Sequence, residues 1–255
     1  MPNSSIVVLA LSTLDSEFQL DESAQRRTWA RKDSKEVKVI WVRGGGSHFH
    51  DDGDRNLVVP APEDFRSILA KTLLAIKWIN TNLNPDVIIR SNTSSYFQLD
   101  KLKKVVNKFE QNQEDFGGYF ESYNSERFVN GAGIFLKRRA IEALSQMNPN
   151  DWIDIPDDVA ISRYLFNHGL KASSLRRNNL AYHHFFFPSH HSRVKGWSNR
   201  KLTRSRMELI HKFYSSGSPI TKIYIYWRLL KLEITQSKLT PYKVLKFLRG
   251  GLFRR

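Results

Sequence analysis

Six short apolar runs recur between residues 6 and 136, at residues 6–11, 37–42, 57–59, 86–89, 116–120 and 133–136. Runs of this length, rich in Val, Ile and Phe and bounded by polar or Gly-rich breaks, read as strands. Helix-patterned segments lie between and after them. Residues 23–32 form a short basic helix with Ser23 as N-cap. A second helix starts at Glu63 and Asp64 behind Pro62 and carries Ile68, Leu69, Leu73, Ile76 and Ile79 on one face. Residues 99–110, 138–147 and 158–167 supply three more, the last ending at Gly169 in a C′ position. Residues 130–133 are expected to connect the last two strands. Strands alternating with helices over roughly 170 residues constrain the chain to an α/β/α sandwich with a mixed, mainly parallel central sheet. The expected division is one α/β domain over residues 1–200 and a basic, amphipathic helical region over 201–255.

The fourth strand ends unusually. Asp86-Val-Ile-Ile89 breaks into Arg90, Ser91, Asn92, Thr93, Ser94 and Ser95 with no Gly or Pro among them. Ligands of open α/β sheets bind beyond the carboxyl ends of strands. This polar stretch is therefore either a ligand edge or a capped turn before the helix near Leu99. A second ambiguous site is Ile155-Pro-Asp-Asp158. Its carboxylates suit the N-terminus of a helix, where they meet unpaired backbone N–H groups, and they equally suit a general base presented to a cleft.

Other clusters read more simply. His48, His50, Asp51 and Asp52 are metal-ligand types in a Gly-rich loop and are expected to be solvated. His183, His184, His190 and His191 bracket three phenylalanines, which favours packing over metal or phosphate binding. Neither GxxxxGK[ST] nor GxGxxG occurs. The absence of cysteine excludes disulfides, thiolate catalysis and Cys-based zinc sites.

Charge is distributed unevenly. The net charge is +15, yet residues 200–255 hold fourteen Lys and Arg against only Glu208 and Glu233. A polyanionic partner is thus expected for the C-terminal region. Within residues 218–255, Ile223, Tyr226, Trp227, Leu230 and Ile234 share a helical face beside Lys222 and Lys231. Val244, Leu245 and Leu248 repeat the pattern against Lys243, Lys246 and Arg249. Such segments suit an anionic membrane surface; the alternative is a helical pair on the core with a solvated basic face. The N-terminal residues show no basic n-region, and no window approaches the length of a membrane span, so a cytoplasmic, peripheral location is expected.

Several motifs, taken in order, resemble the β-1,3-glycosyltransferase and Fringe family. Arg26-Arg-Thr-Trp29 resembles its R-x-T-W element. Asp64-Phe-Arg-Ser-Ile-Leu-Ala-Lys-Thr-Leu73 with Trp78 is similar to its DSYxNLTLKT…W helix. Asn130-Gly-Ala-Gly-Ile-Phe-Leu136 is similar to GGGYVLS, and Pro156-Asp-Asp-Val159 to PDD and EDV. Residues 86–96 fall where the family has a strand followed by a DxD metal motif, and His191 near its late histidine. The resemblance covers roughly residues 6–195.

It implies a GT-A fold and inverting transfer from a nucleotide-sugar, usually a UDP-sugar, to a glycan or lipid-linked acceptor hydroxyl. Asp158 would be the base and Asp157 its neighbour. Arg26, Arg27, Lys71, Arg90, Ser91, Asn92, Thr93, Ser94 and Gly131 would face the donor. Asn92, Ser94 and His191 would take the place of the metal ligands for Mn or Mg. Asn and Ser are weak ligands for a hard cation. The metal is therefore bound weakly, or replaced by Arg26, Arg27, Lys71 or Arg90, or the protein is inactive; the intact Pro-Asp-Asp favours an enzyme. The rival classes are a nucleic-acid-binding protein, which would spread its basic residues over a groove of the fold, and an inactive glycosyltransferase-fold scaffold.

Overall fold

A computed structural model describes residues 5–31, 36–179, 189–195 and 200–236. Its main sheet has eight strands: β1 (Ile6–Leu11), β2 (Val37–Arg43), β3 (His50–Asp51), β4 (Asn56–Val58), β5 (Val87–Asn92), β7 (Phe116–Tyr123), β8 (Glu126–Lys137) and β9 (Ala172–Ser174), in the order β3-β4-β2-β1-β5-β8-β7-β9. β4, β2, β1 and β5 run parallel; β8 pairs antiparallel with both β5 and β7. A second sheet, β10-β11-β6, joins β6 (Ser95–Phe97), β10 (Asn178–Asn179) and β11 (His191–Arg193).

Helices cover both faces. Val7, Leu9 and Leu11 of β1 pack with α2 (Ile68–Leu83), α4 (Arg138–Ser145) and α5 (Asp157–Asn167). Ile6, Val8 and Ala10 pack on the other side, where α1 (Ser16–Arg27), α3 (Leu99–Gln111), α6 (Arg200–Ser215) and α7 (Pro219–Gln236) lie. Successive side chains of a strand point to opposite faces, so a strand covered twice must be apolar throughout, as β1 is. The expected α/β/α sandwich with a mixed, mainly parallel sheet is the fold observed.

The structure redraws several boundaries. α1 starts at Ser16, with Asp15 as its cap accepting from the Glu17 N–H at 2.8 Å. Ser23 is interior, because the buried side of α1 includes Asp21, Glu22 and Gln25, which apolar periodicity does not register. α2 starts at Ile68; Asp64 instead accepts from the Ser67 N–H at 2.7 Å in the preceding turn. β5 continues through Arg90 and Ser91 to Asn92, since both polar side chains find partners on β8. Residues 130–133 lie inside β8, and the hairpin turns at Asn124 and Ser125, both with positive φ.

The described part of the C-terminal region packs on the sheet. Met207 and Ile210 of α6 and Ile225 and Leu229 of α7 join the same apolar cluster as β1 and β2. His50 and Asp51 form an exposed edge strand, and no cluster of three His, Asp or Glu suited to a metal occurs among the described residues. His183, His184 and residues 242–249 lie outside the described residues.

Candidate active site

The site forms where β1 and β5 end side by side, with Leu11 opposite Asn92. The chain leaves β5 through a tight turn. Asn92 Oδ1 accepts from the Ser94 N–H at 3.1 Å and from the Ser94 hydroxyl at 2.7 Å, the local side-chain bonding that Asn favours in turns. Gln25 braces this turn from α1. Its amide donates to the carbonyls of Asn92 at 3.0 Å and Ser95 at 2.9 Å, while its oxygen accepts from Trp41 Nε1 at 2.9 Å. β11 runs along the other side: Arg193 pairs with Ser95, and the Val194 N–H donates to the Ser94 carbonyl at 2.9 Å. That pairing delivers Arg193 and Lys195 to the turn.

Across the cleft stands α5. Arg90, buried at the end of β5, donates to the Gly131 carbonyl and forms an ion pair with Asp157. Neither Asp157 nor Asp158 caps the helix; Pro156 occupies the N-cap position. Asp158 accepts from the Gly131 N–H through Oδ2 at 2.8 Å. Gly131 thus bridges the two acids and the arginine. A Cβ there would strike the Arg90 guanidinium and approach the Asp158 Cβ to 3.1 Å. Burial pushes the Asp157 carboxyl above the usual range, Arg90 pulls it down, and the Asp158 charge raises it.

These groups enclose a cavity of about 350 Å³. Lys71, Arg90, Arg193, Lys195 and Arg200 line it, together with Asp21, Asp157 and Asp158 and the polar Ser12, Thr13, Asn92, Thr93, Ser94 and Asn130. Lys71 donates to the Ser12 carbonyl at 3.0 Å and pairs with Glu63 at 2.9 Å. Arg193 lies 3.7 Å from Glu121, and its buried Nε has no hydrogen-bond partner. Arg200 stacks over the Phe18 ring at 3.4 Å and pairs with Asp21 at 3.1 Å. Asp21 is pushed up to about 6 by burial, against the pull of Arg200 and Arg204. A cleft rich in cations and neutral donors suits a phosphate-bearing ligand.

Of the residues expected from sequence, Lys71, Arg90, Asn92, Thr93, Ser94, Gly131, Asp157 and Asp158 line this cavity. Ser91 is buried beneath it, donating to the Ala132 carbonyl at 3.1 Å. Arg26 and Arg27 are not brought to it. Arg26 stacks on Trp41 at 3.8 Å and bonds Glu22 and Asn56, while Arg27 pairs at the surface with Glu208. Asp21, Arg193, Lys195 and Arg200 are additional lining residues, and Gln25 an additional brace. Arg200 was visible only as one charge of the basic C-terminal region. For the others the sequence holds no local signal.

The donor set at Asn92 and Ser94 does not fit a divalent metal. Asn92 Oδ1, its natural ligand atom, is already engaged by the turn, and Ser94 donates to it. His191 is buried away from the cavity, stacked on Phe97 at 4.5 Å, and its ring fills the space beside Gly133. Burial, reinforced by Arg177, His190 and Arg193, holds His191 well below the usual histidine range, and Nε2 has no partner.

No protein-family model matches the chain, and no curated protein matches it either. Among solved structures, the chain is similar to a glycosyltransferase involved in the glycosylation of the major capsid of PBCV-1. The identity is 10%, the match covers 80% of this chain and 99% of that one, and the TM-score is 0.55. It is also similar to the mannosyltransferase PcManGT from Pyrobaculum calidifontis, solved with GDP-Man and Mn2+, at 12% identity, 97% and 74% coverage, and a TM-score of 0.49. The first likeness shows that the chain has a glycosyltransferase fold.

Proposed function

We propose that this chain is a GT-A glycosyltransferase that moves a sugar, with inversion, from a nucleotide-sugar donor to an acceptor hydroxyl. The observation that carries this reading is the facing of Asp158 and a set of cations across one cavity at the ends of β1 and β5. Asp157 is engaged by Arg90, whereas among the described residues Asp158 Oδ1 meets only the Val159 N–H at 3.1 Å. Asp158 is therefore the residue to accept the acceptor proton. As the acceptor oxygen bonds to the anomeric carbon, the bond from that carbon to the diphosphate breaks, and the departing diphosphate keeps the electron pair. Arg193, Lys195, Arg200 and Lys71 supply the positive field for that charge, a preorganised electrostatic contribution that needs no metal at residues 92–94. The ordered motifs support a Fringe-like relative with a UDP-sugar as donor.

A screen of UDP- and GDP-sugars by thermal shift, with and without manganese or magnesium, tests this directly, because a ligand of the folded state raises its stability. A rise in melting temperature with one nucleotide sugar, followed by transfer to a glycoside acceptor, is expected. The complete absence of both would leave an inactive scaffold.

The acceptor is proposed to be a glycan or lipid-linked glycan handled at an anionic membrane surface, with α7 as the docking element. Ile225 and Leu229 face the core, while Ile220, Ile223, Tyr224 and Trp227 remain exposed at spacings of three and four. Ile223 and Trp227 belong to the face expected from sequence, whereas Tyr226 of that face is half-buried. Lys222, Arg228 and Lys231 flank the exposed stripe, the charge complement of anionic lipid. No described helix is long and apolar enough to cross a membrane. Co-sedimentation with phosphatidylglycerol vesicles should fall on Trp227→Ser with Ile223→Ser; equal binding by this variant would remove α7 from the role.

A further inference from the structure

A second groove, of about 350 Å³, opens beside the first and shares Phe65, Ile68 and Asp157 with it. Its other wall is the segment that leads into α5: the 3-10 turn Pro149–Trp152, then Ile153, Ile155 and Pro156. The lining is mostly apolar, with Asp154 and Arg66 as the charged exceptions apart from Asp157. A shaped apolar groove with a few polar groups is the usual character of a small-ligand site.

Phe65 is the telling residue. It is 81% exposed, among the largest exposures of any apolar side chain in the described structure, and it stands on the rim between the two cavities. The turn that precedes α2 holds it there: Asp64 accepts from the Ser67 N–H at 2.7 Å, and the Ile68 N–H reaches the Phe65 carbonyl at 3.4 Å. Ile153, on the opposite wall, is 50% exposed. Trp152 is half-buried, edge-on to Tyr164 at 6.2 Å, and completes the wall. Aromatic faces take the C–H face of a pyranose while its hydroxyl edge remains free for polar groups, here Asp154 and Arg66.

We infer that this groove is a saccharide subsite, in which Phe65 and Ile153 hold the acceptor sugar with its reactive hydroxyl toward Asp158. The inference rests on the transferase reading for its chemistry, since the groove meets the donor cavity at Asp157, one residue from the base. Its occupant is a sugar ring, not a lipid chain or a second protein copy. Continuity with the carboxylate pair favours this, because a lipid chain has no group to offer Asp158.

The test uses the full chain and its Phe65→Ala and Ile153→Ser variants, both at exposed positions where folding should be unaffected. Binding of methyl and octyl hexosides is measured by saturation-transfer NMR without donor, and nucleotide-sugar binding by thermal shift. The expected result is at least fivefold weaker methyl-hexoside binding in both variants, with the nucleotide-sugar shift unchanged in Ile153→Ser, whose side chain does not line the donor cavity. Equal hexoside binding by wild type and variants would overturn the inference, as would binding of octyl but not methyl glycosides. If no nucleotide sugar binds while hexoside binding still depends on Phe65, the transferase reading fails and the saccharide subsite stands. Self-association that is lost in the variants, with no hexoside binding, would assign the groove to a second copy and overturn it.

Discussion

Arg90, buried at the end of β5, is ion-paired with Asp157 in the first turn of α5, across a sequence separation of 67 residues. The same guanidinium donates to Gly131, whose N–H holds Asp158. One buried cation thus fixes the distance between the sheet and the acid pair. Burial, the largest influence, raises the Asp157 carboxyl above its usual range, and the arginine pulls against it.

Removing one partner of a buried pair leaves the other uncompensated. Arg90→Ala is expected to destabilise the protein by about 3–5 kcal/mol, whereas replacing both partners by Arg90→Met and Asp157→Leu should cost much less. Urea unfolding of the two variants checks this, and equal losses would show that the pair contributes little beyond its packing.

Asp158→Ala should retain the fold and lower transfer by about 10²–10⁴-fold, the usual contribution of a general base. Turnover of donor and acceptor by the variant is the measurement. Wild-type activity would remove Asp158 from the chemistry.

Gly131→Ala introduces a methyl between Arg90 and Asp158 where no space exists. A stability loss of about 1–3 kcal/mol is expected from the overpacking, together with a fall in kcat from the displaced carboxylate. Thermal unfolding and kinetics on one preparation would test both effects.

Chelation of divalent ions with EDTA should leave transfer within twofold, since Asn92 and Ser94 are engaged with each other. Arg193→Ala should instead raise the donor KM by at least tenfold. Activity abolished by EDTA and restored by manganese would show that a metal does the work assigned to these cations.

Two buried groups give opposite slopes of stability against pH. Asp21 is pushed up to about 6, so between about 4 and 6 the folded chain keeps a proton that the unfolded chain loses. Its contribution therefore decreases as pH rises through that window. His190, stacked edge-on against Phe135 and pushed down to about 4 by burial, stays neutral while the unfolded side chain protonates below 6.5. Its contribution is full above 6.5 and is lost as pH falls toward 4. Asp21→Asn should make stability climb more steeply between pH 4 and 6, and His190→Asn should flatten it. Urea midpoints over that range decide the sign of each.

Local patterning carried the sequence reading a long way. The apolar runs mark the strands because a strand buried on both faces has to be apolar, and β1 is such a strand. Ile68, Leu69, Leu73, Ile76 and Ile79 mark the core face of α2 for the same physical reason at helical spacing. The motif order placed Arg90, Asn92, Gly131 and Asp158 near one another, and each lines the cavity. Where buried surface is polar, the pattern failed. Asp21, Glu22 and Gln25 disguised the buried face of α1, and Arg90 and Ser91 disguised the end of β5.

The sequence by itself therefore determined the layered α/β architecture, the acid pair at α5 and the neutral side chains at the end of β5, because these depend on residue type and local spacing. Only the tertiary structure decided which cations meet them. Arg193 and Lys195 arrive through the pairing of β11 with β6, and Arg200 through the packing of α6, whereas Arg26 is held away by Trp41 and Glu22. The reason is physical: a charged side chain goes where its stem packs and its head finds partners. At this cleft those partners come from elements more than a hundred residues apart.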